Sequence, residues 1–220
     1  MILAAGRGER LRPLTDSIPK ALVAAGGKPL IAWHLERLAA SGCREAVINV
    51  SHLAGQIVER IGEGARFGLR IAYSREAEPL ETAGGIAQAA PLLGDAPFLL
   101  VNADVYCEID FRRLRGLDLG GRLAHLVLVP NPAHRAGGDF TLEQGMVGNG
   151  SGARYTYAGI AVMSPALVAG VTPGEKAPLA PLLRAAADRG LIGGELHRGV
   201  WQDVGTQERL AELEAYLATR

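Results

Sequence analysis

The sequence predicts an α/β fold, a three-layer sandwich around a largely parallel, Rossmann-like mixed sheet. Two observations predict it. Short apolar runs alternate along the chain with segments whose apolar residues recur at helical spacing. Small, polar and charged residues gather where the apolar runs stop, and in an open parallel sheet those strand ends border the ligand crevice. The chain has 220 residues, 48% of them hydrophobic, which suits one domain over 1–220 with a full core. Only 5% are aromatic, so Ala, Leu, Val and Ile must fill that core.

Residues 1–4 read as the first strand. Leu30, Ile31, Trp33, Leu35 and Leu38 then mark a helix over 29–41, with Gly42 as its stop. A buried strand is expected at 46–50, a helix at 53–61, a strand at 69–73, a helix at 83–93 and a strand at 98–101. Regularity fails after about residue 131. The Gly-rich stretch 137–154 predicts a hairpin excursion covering one side of a site, with short strands near 140–142 and 146–147. The pattern returns with a strand at 155–163, a helix at 179–189, a strand at 200–204 and a closing helix at 207–217 capped by Thr206.

Lysine and arginine number 23, as do aspartate and glutamate, so no net charge steers the chain towards nucleic acid. No apolar run is long enough for a membrane span, and no signal peptide is evident. Cys43 and Cys107 lack metal-ligand spacing, which together with these features favours a reduced, cytoplasmic location. His34, His52, His125, His134 and His197 form no metal-binding pattern and suit structural or surface roles.

Local charge is another matter. After the first strand, Ala5-Gly6-Arg7-Gly8 leads into Arg10, Arg12, Pro13 and finally Pro19-Lys20. Small residues let a backbone approach an anion closely, and three arginines with a lysine supply the charge a polyphosphate needs. Neither common phosphate motif is present. Gly26-Gly27-Lys28 is followed by Pro29 and lacks the leading glycine of a Walker loop, and Leu11 replaces the third glycine of a dinucleotide fingerprint. Two carboxylates, Asp104 and Asp203, end or interrupt apolar strands 99 positions apart. Unpaired, they would be costly there. Joined by phosphate oxygens, they suit Mg2+, a hard ion that keeps waters and favours substrate phosphates. No nucleophile–base pair stands out. Attack by a phosphate needs none, because the nucleophile is already an anion.

These residues carry a resemblance. LAAGRGERLRPLT with Pro19-Lys20, then ETAGG, VNAD, TYAGIAV and WQDVGT in that order, is similar to the sugar-1-phosphate nucleotidylyltransferases, over essentially the whole chain. The resemblance implies a nucleotide-diphospho-sugar transferase fold without a C-terminal β-helix. It also implies transfer of a nucleotidyl group from a nucleoside triphosphate to a sugar 1-phosphate, with release of pyrophosphate and use of Mg2+. Within the family it is closest to the bacterial branch acting on UTP and N-acetylmuramate 1-phosphate in peptidoglycan recycling. Guanylyltransferases for mannose 1-phosphate and thymidylyltransferases for glucose 1-phosphate share the same chemistry. A non-catalytic nucleotide-sugar sensor would be expected to have lost Lys20 or an acid, and all three are present.

By this resemblance the nucleotide lies against Leu3, Ala4, Ala5, Gly6, Arg7 and Gly8, with Glu81, Ala83, Gly85 and Asp104. Arg7 and Arg12 grip the triphosphate and Lys20 stabilises the attacked phosphate. Asn102, Glu143 and Gly159 contact the sugar, and Asp104 and Asp203 hold the metal. The implied assembly is a monomer or small homo-oligomer, without nucleic-acid or membrane partners. Ala103 stands where many relatives have glycine, and Lys176 departs from their pattern as well.

Overall fold

The computed structural model describes residues 1–220. The first half holds strands β1 (Ile2–Leu3), β2 (Ala24–Ala25), β3 (Lys28–Pro29), β4 (Glu45–Val50), β5 (Arg70–Arg75), β6 (Phe98–Asn102) and β7 (Val105–Cys107). Then come β8 (Ala124–Val129), β9 (Phe140–Glu143), β10 (Met146–Gly148), β11 (Arg154–Met163), β12 (Ile192–Leu196) and β13 (Trp201–Asp203). The helices are α1 (Leu14–Ser17), α2 (Leu30–Ala40), α3 (Ala54–Ile61), α4 (Glu81–Leu93), α5 (Phe111–Arg115), α6 (Leu179–Asp188) and α7 (Gln207–Ala218).

Nine strands form one mixed sheet in the order β5-β4-β1-β6-β11-β8-β12-β10-β9. The first four are mutually parallel, joined by helical crossovers. Beyond β6 the expected dominance of parallel pairing ends. β11 runs antiparallel to β6 and to β8, β10 to β12, and β9 to both β10 and β11; only β8 and β12 pair in parallel. The chain crosses from β6 past α5 to β8, which runs the same way, and β11 then fills the gap between them from the opposite direction, so both of its long pairings are antiparallel.

Alternation along the strands sends apolar side chains to both faces. Ile2, Ile48 and Val101 pack with Ile31, Leu35 and Leu38 of α2, Ile57 and Ile61 of α3, and Phe111 and Leu114 of α5. The neighbours Met1, Val47 and Leu100 pack instead with Ala83, Ile86 and Ala89 of α4 and Leu179, Leu183 and Ala186 of α6. A third cluster joins Val23, Ala25 and Leu30 to Tyr106, Val204 and Leu213, so α7 braces the small sheet of β7 and β13. Each fully buried leucine or valine there contributes about 2 kcal/mol, enough to seat a helix whose outer face is polar.

Five strands were not anticipated: the short β2, β3 and β7, and two strands of the main sheet. β8 lies in a run, 124–129, that precedes the break in the pattern, and β12 is hidden by Gly193-Gly194, which read as a turn. The expected hairpin is no excursion: β9 and β10 pair with β11 and β12 and form the edge of the main sheet. No helix is long and apolar enough to cross a membrane.

β11 changes register against β8 between Tyr157 and Ala161. Gly159 in that irregularity has φ 71°, and a Cβ there would lie 2.6 Å from Asn102 Nδ2. Gly159→Ala is expected to lower unfolding free energy by about 2 kcal/mol in urea titration, because it combines a left-handed residue with a clash. An unchanged midpoint would show that neither constraint operates.

His34 of α2 is buried, stacks on Phe111 at 6.3 Å and has no partner on either ring nitrogen. Burial lowers its pKa from 6.5 to about 4. Since the unfolded chain then binds the proton more readily, stability is retained above pH 6.5 and lost as pH falls towards 4. Relative to His34→Leu, the native chain should lose about 2 kcal/mol between pH 7 and 4.5 in parallel denaturation series. Equal pH profiles would contradict this.

Candidate active site

The chain leaves β1 towards β4 on one side and later fills β6 on the other. Such a reversal opens a crevice at the carboxyl ends of the strands. Leu3, Ala4, Ala5 and Gly6 form one wall of it, Asn102, Ala103 and Asp104 another. The base of the crevice is a buried relay. Asn49 Oδ1 accepts from Ala4 N at 2.8 Å, Asn49 Nδ2 donates to Glu76 Oε1 at 2.7 Å, and Glu76 Oε2 accepts from Leu80 N at 3.0 Å. These bonds fasten the loops after β1 and β5 to the end of β4.

Asn49 and Glu76 were missed in the sequence. A polar residue inside Val47-Ile48-Asn49-Val50 was their one available signal. The predicted Ala83 and Gly85 do not line the crevice. Ala83 is wholly buried in the core under α4 and gives its N–H to Ala177 O at 2.9 Å. Gly85 lies behind the relay, where a Cβ would stand 2.6 Å from Glu76 Oε1 and 2.8 Å from Asn49 Nδ2. Its smallness seats the relay. Glu81 and Thr82, at the start of α4, supply the lining instead. Glu81 holds φ 60°, an uncommon conformation for a residue other than glycine.

Next to this pocket, Gly6, Arg7, Gly8, Arg10 and Lys20 surround a second space that also reaches Glu81, Asp104 and Gly205. Gly8 has φ 67° and accepts a hydrogen bond on its carbonyl from Thr15 Oγ1 at 2.8 Å. Arg12 is not among these residues. The turn Glu9–Leu11 buries Leu11 completely, and Arg12 beyond it points to solvent, paired with Asp16 at 3.1 Å with both side chains 56% exposed. Arg10 faces the cleft in its place, and Lys176 stands at the rim, paired with Glu78 at 2.6 Å.

The backbone segments that carry the two acids meet. β7 and β13 pair so that Asp203 opposes Val105, and Val204 N donates to Asp104 O at 2.7 Å. Each carboxylate already has a cation: Lys20 pairs with Asp104, and Arg209 with Asp203. His134 Nε2 lies 3.2 Å from Asp203 Oδ1. Trp201 Nε1 donates to Ala158 O at 2.9 Å and ties this small sheet to β11.

Glu81, Thr82 and Asn102 also border a third compartment, completed by Asp139, Phe140, Tyr157, Gly159 and α6. Asp139 accepts from Tyr157 N at 2.8 Å and pairs with Arg135 at 2.9 Å. Glu143 is not in this compartment. It opposes Met146 at the far end of the hairpin and is exposed, because β9 enters the sheet at Asp139–Phe140 and carries Glu143 away. Asp139 and Tyr157 were missed: Asp139 lies in the irregular stretch, and within TYAGIAV only Gly159 was singled out.

Residues 1–116 match the nucleotidyl transferase family. The chain is 48% identical to the N-acetylmuramate alpha-1-phosphate uridylyltransferase of Neisseria meningitidis serogroup B, over 98% of this chain and 96% of that protein. It is 33% identical to the protein of the same name from Caulobacter vibrioides, over 99% of this chain and 96% of that one. In fold it is similar to a putative glucose-1-phosphate thymidylyltransferase from Bacillus anthracis, with a TM-score of 0.87 at 19% identity, covering 98% and 93% of the two chains. The cationic turn after β1, the paired acid-bearing strands and these likenesses agree: this chain is a nucleotidyltransferase of the sugar-1-phosphate nucleotidylyltransferase family.

Proposed function

We propose that the enzyme transfers a uridylyl group from UTP to N-acetylmuramate 1-phosphate, giving UDP-N-acetylmuramate and pyrophosphate. The observation that carries this reading is the Lys20–Asp104 pair at the end of β1 and β6, one ladder step from Asp203. A phosphate oxygen of the sugar attacks the α-phosphorus of the triphosphate, and the bond to the bridging oxygen of the β-phosphate breaks. The attacking group is an anion, so no base must remove a proton. The protein's task is to hold two repelling anions in line and to offset their charge.

Each compartment has a part in this. The pocket over Ala4, Asn49 and Glu76 receives the base, and Arg7 and Arg10 with the Gly6–Gly8 backbone grip the triphosphate. Lys20, held by Asp104, meets the charge that develops on the α-phosphate. Asn102, Asp139 and Gly159 border the sugar. Asp104 and Asp203 fit Mg2+: two carboxylates on adjoining strands, too few for an all-protein cage, leave positions for phosphate oxygens and water. When bound, the ion supplies further charge compensation on the phosphates. The reaction belongs to cytoplasmic peptidoglycan recycling, carried out by a monomer or small homo-oligomer.

Pyrophosphate release from a panel of triphosphates and sugar 1-phosphates tests the assignment; lack of turnover with UTP and N-acetylmuramate 1-phosphate would defeat it. Lys20→Ala should cost on the order of 3 kcal/mol of transition-state stabilisation, roughly a hundredfold in kcat. Asp104→Asn and Asp203→Asn should each lower activity and weaken its dependence on added Mg2+, and full activity in either would remove that acid from the metal site. Arg10→Ala should raise the KM for UTP at least about tenfold, while Arg12→Ala should change it by less than about twofold, as steady-state kinetics will read.

A further inference from the structure

Two polar groups in the outer compartment have no task in the reaction just described. Arg184 on α6 has no acidic partner. Its Nη1 donates to Asp139 O and to Asn149 Oδ1, both at 3.3 Å, and its guanidinium sits 5.1 Å from the centre of the Phe140 ring. These neutral neighbours fix the head group without cancelling its charge. Arg135, the other arginine on this wall, is by contrast already neutralised by Asp139. Tyr157 of β11 has a buried hydroxyl with no hydrogen-bond partner. Burial raises its pKa, so it stays an O–H donor. Both side chains line the compartment that Asn102 and Gly159 join to the reaction centre.

An oriented, uncompensated guanidinium on the wall of a cavity calls for an anionic oxygen acceptor; Tyr157 closes that wall while its hydroxyl stays buried out of a ligand's reach. The sugar's phosphate does not supply it, since that group is drawn inwards to Lys20. We propose that Arg184 binds a carboxylate carried on the sugar ring and so selects an acidic sugar phosphate over neutral ones. The inference rests on the function proposed above: N-acetylmuramate bears a lactyl carboxylate on O3, which neutral hexose phosphates lack. Arg184 is thus a specificity residue of the second half of the chain, remote from the phosphate chemistry.

The test compares N-acetylmuramate 1-phosphate with the same compound converted to the lactyl carboxamide. The kcat/KM for both is measured with the native enzyme, Arg184→Met and Arg184→Lys. A charge-assisted pair predicts an acid-to-amide ratio of about 10 to 100 in the native enzyme. Arg184→Met should bring that ratio close to one, and Arg184→Lys should leave an intermediate value. A purely structural Arg184 would lower both substrates together and keep the ratio, which overturns the proposal. So does a native enzyme indifferent to the carboxylate, a result that does not depend on any variant folding. A native enzyme that ignores both compounds but uses another sugar phosphate fails the proposed function itself.

Discussion

Asp104 and Asp203 sit on adjoining backbone segments one ladder step apart, and each partly shielded carboxylate needs compensation. Much of the surrounding architecture provides it. The loop after β1 brings Lys20 to Asp104, and α7 brings Arg209 to Asp203. The Val204–Asp104 backbone bond fixes the spacing between the two strands, and Trp201 anchors the pair to β11. With Lys20 and Arg209 largely shielded from solvent, these pairs are more than decorative surface bridges. Removing one partner would leave a poorly solvated charge behind.

The remainder of the molecule divides the labour by strand direction. The parallel half, with β1 at the reversal of strand order, makes the crevice and the cationic turn. The antiparallel half extends the same sheet and adds a wall from β9, β11 and α6. Asn102, Glu81 and Thr82 lie on the seam and border both spaces. The left-handed conformation of Glu81 costs about 1 to 3 kcal/mol, and it is held there by the rigid entry into α4, where Leu80 is tied to Glu76. Strain at the seam keeps the two spaces in a fixed relation.

Most helices and the four parallel strands β1, β4, β5 and β6 were legible because their apolar spacing is regular and their ends carry glycine or a polar cap. Thr206 caps α7 as its sequence suggests, with Arg209 N bonded to its hydroxyl. Asp104 and Asp203 stood out because charge at the end of an apolar strand is conspicuous, and Lys20 because it closes the cationic stretch; the structure sets Lys20 against Asp104. Arg12 was misread because linear charge density does not say which arginine a 3-10 turn aims inwards. That depends on the burial of Leu11. Glu143 was misplaced and Asp139 overlooked because the hairpin register is set by pairing with distant strands, which local sequence does not encode. Buried partners such as Asn49 and Glu76 leave little trace, since their role exists only once β4 meets the loops after β1 and β5.

The bracing of β13 by α7 also bears on how the protein emerges from the ribosome. The crevice, the cationic turn and the first acid all lie within the first 104 residues, whereas the second acid and its guanidinium counter-ion arrive after residue 200. Domains begin to organise during synthesis. The acidic pair and its counter-ions are therefore complete only when the closing helix docks, so the last residues synthesised finish a site whose walls belong to the first.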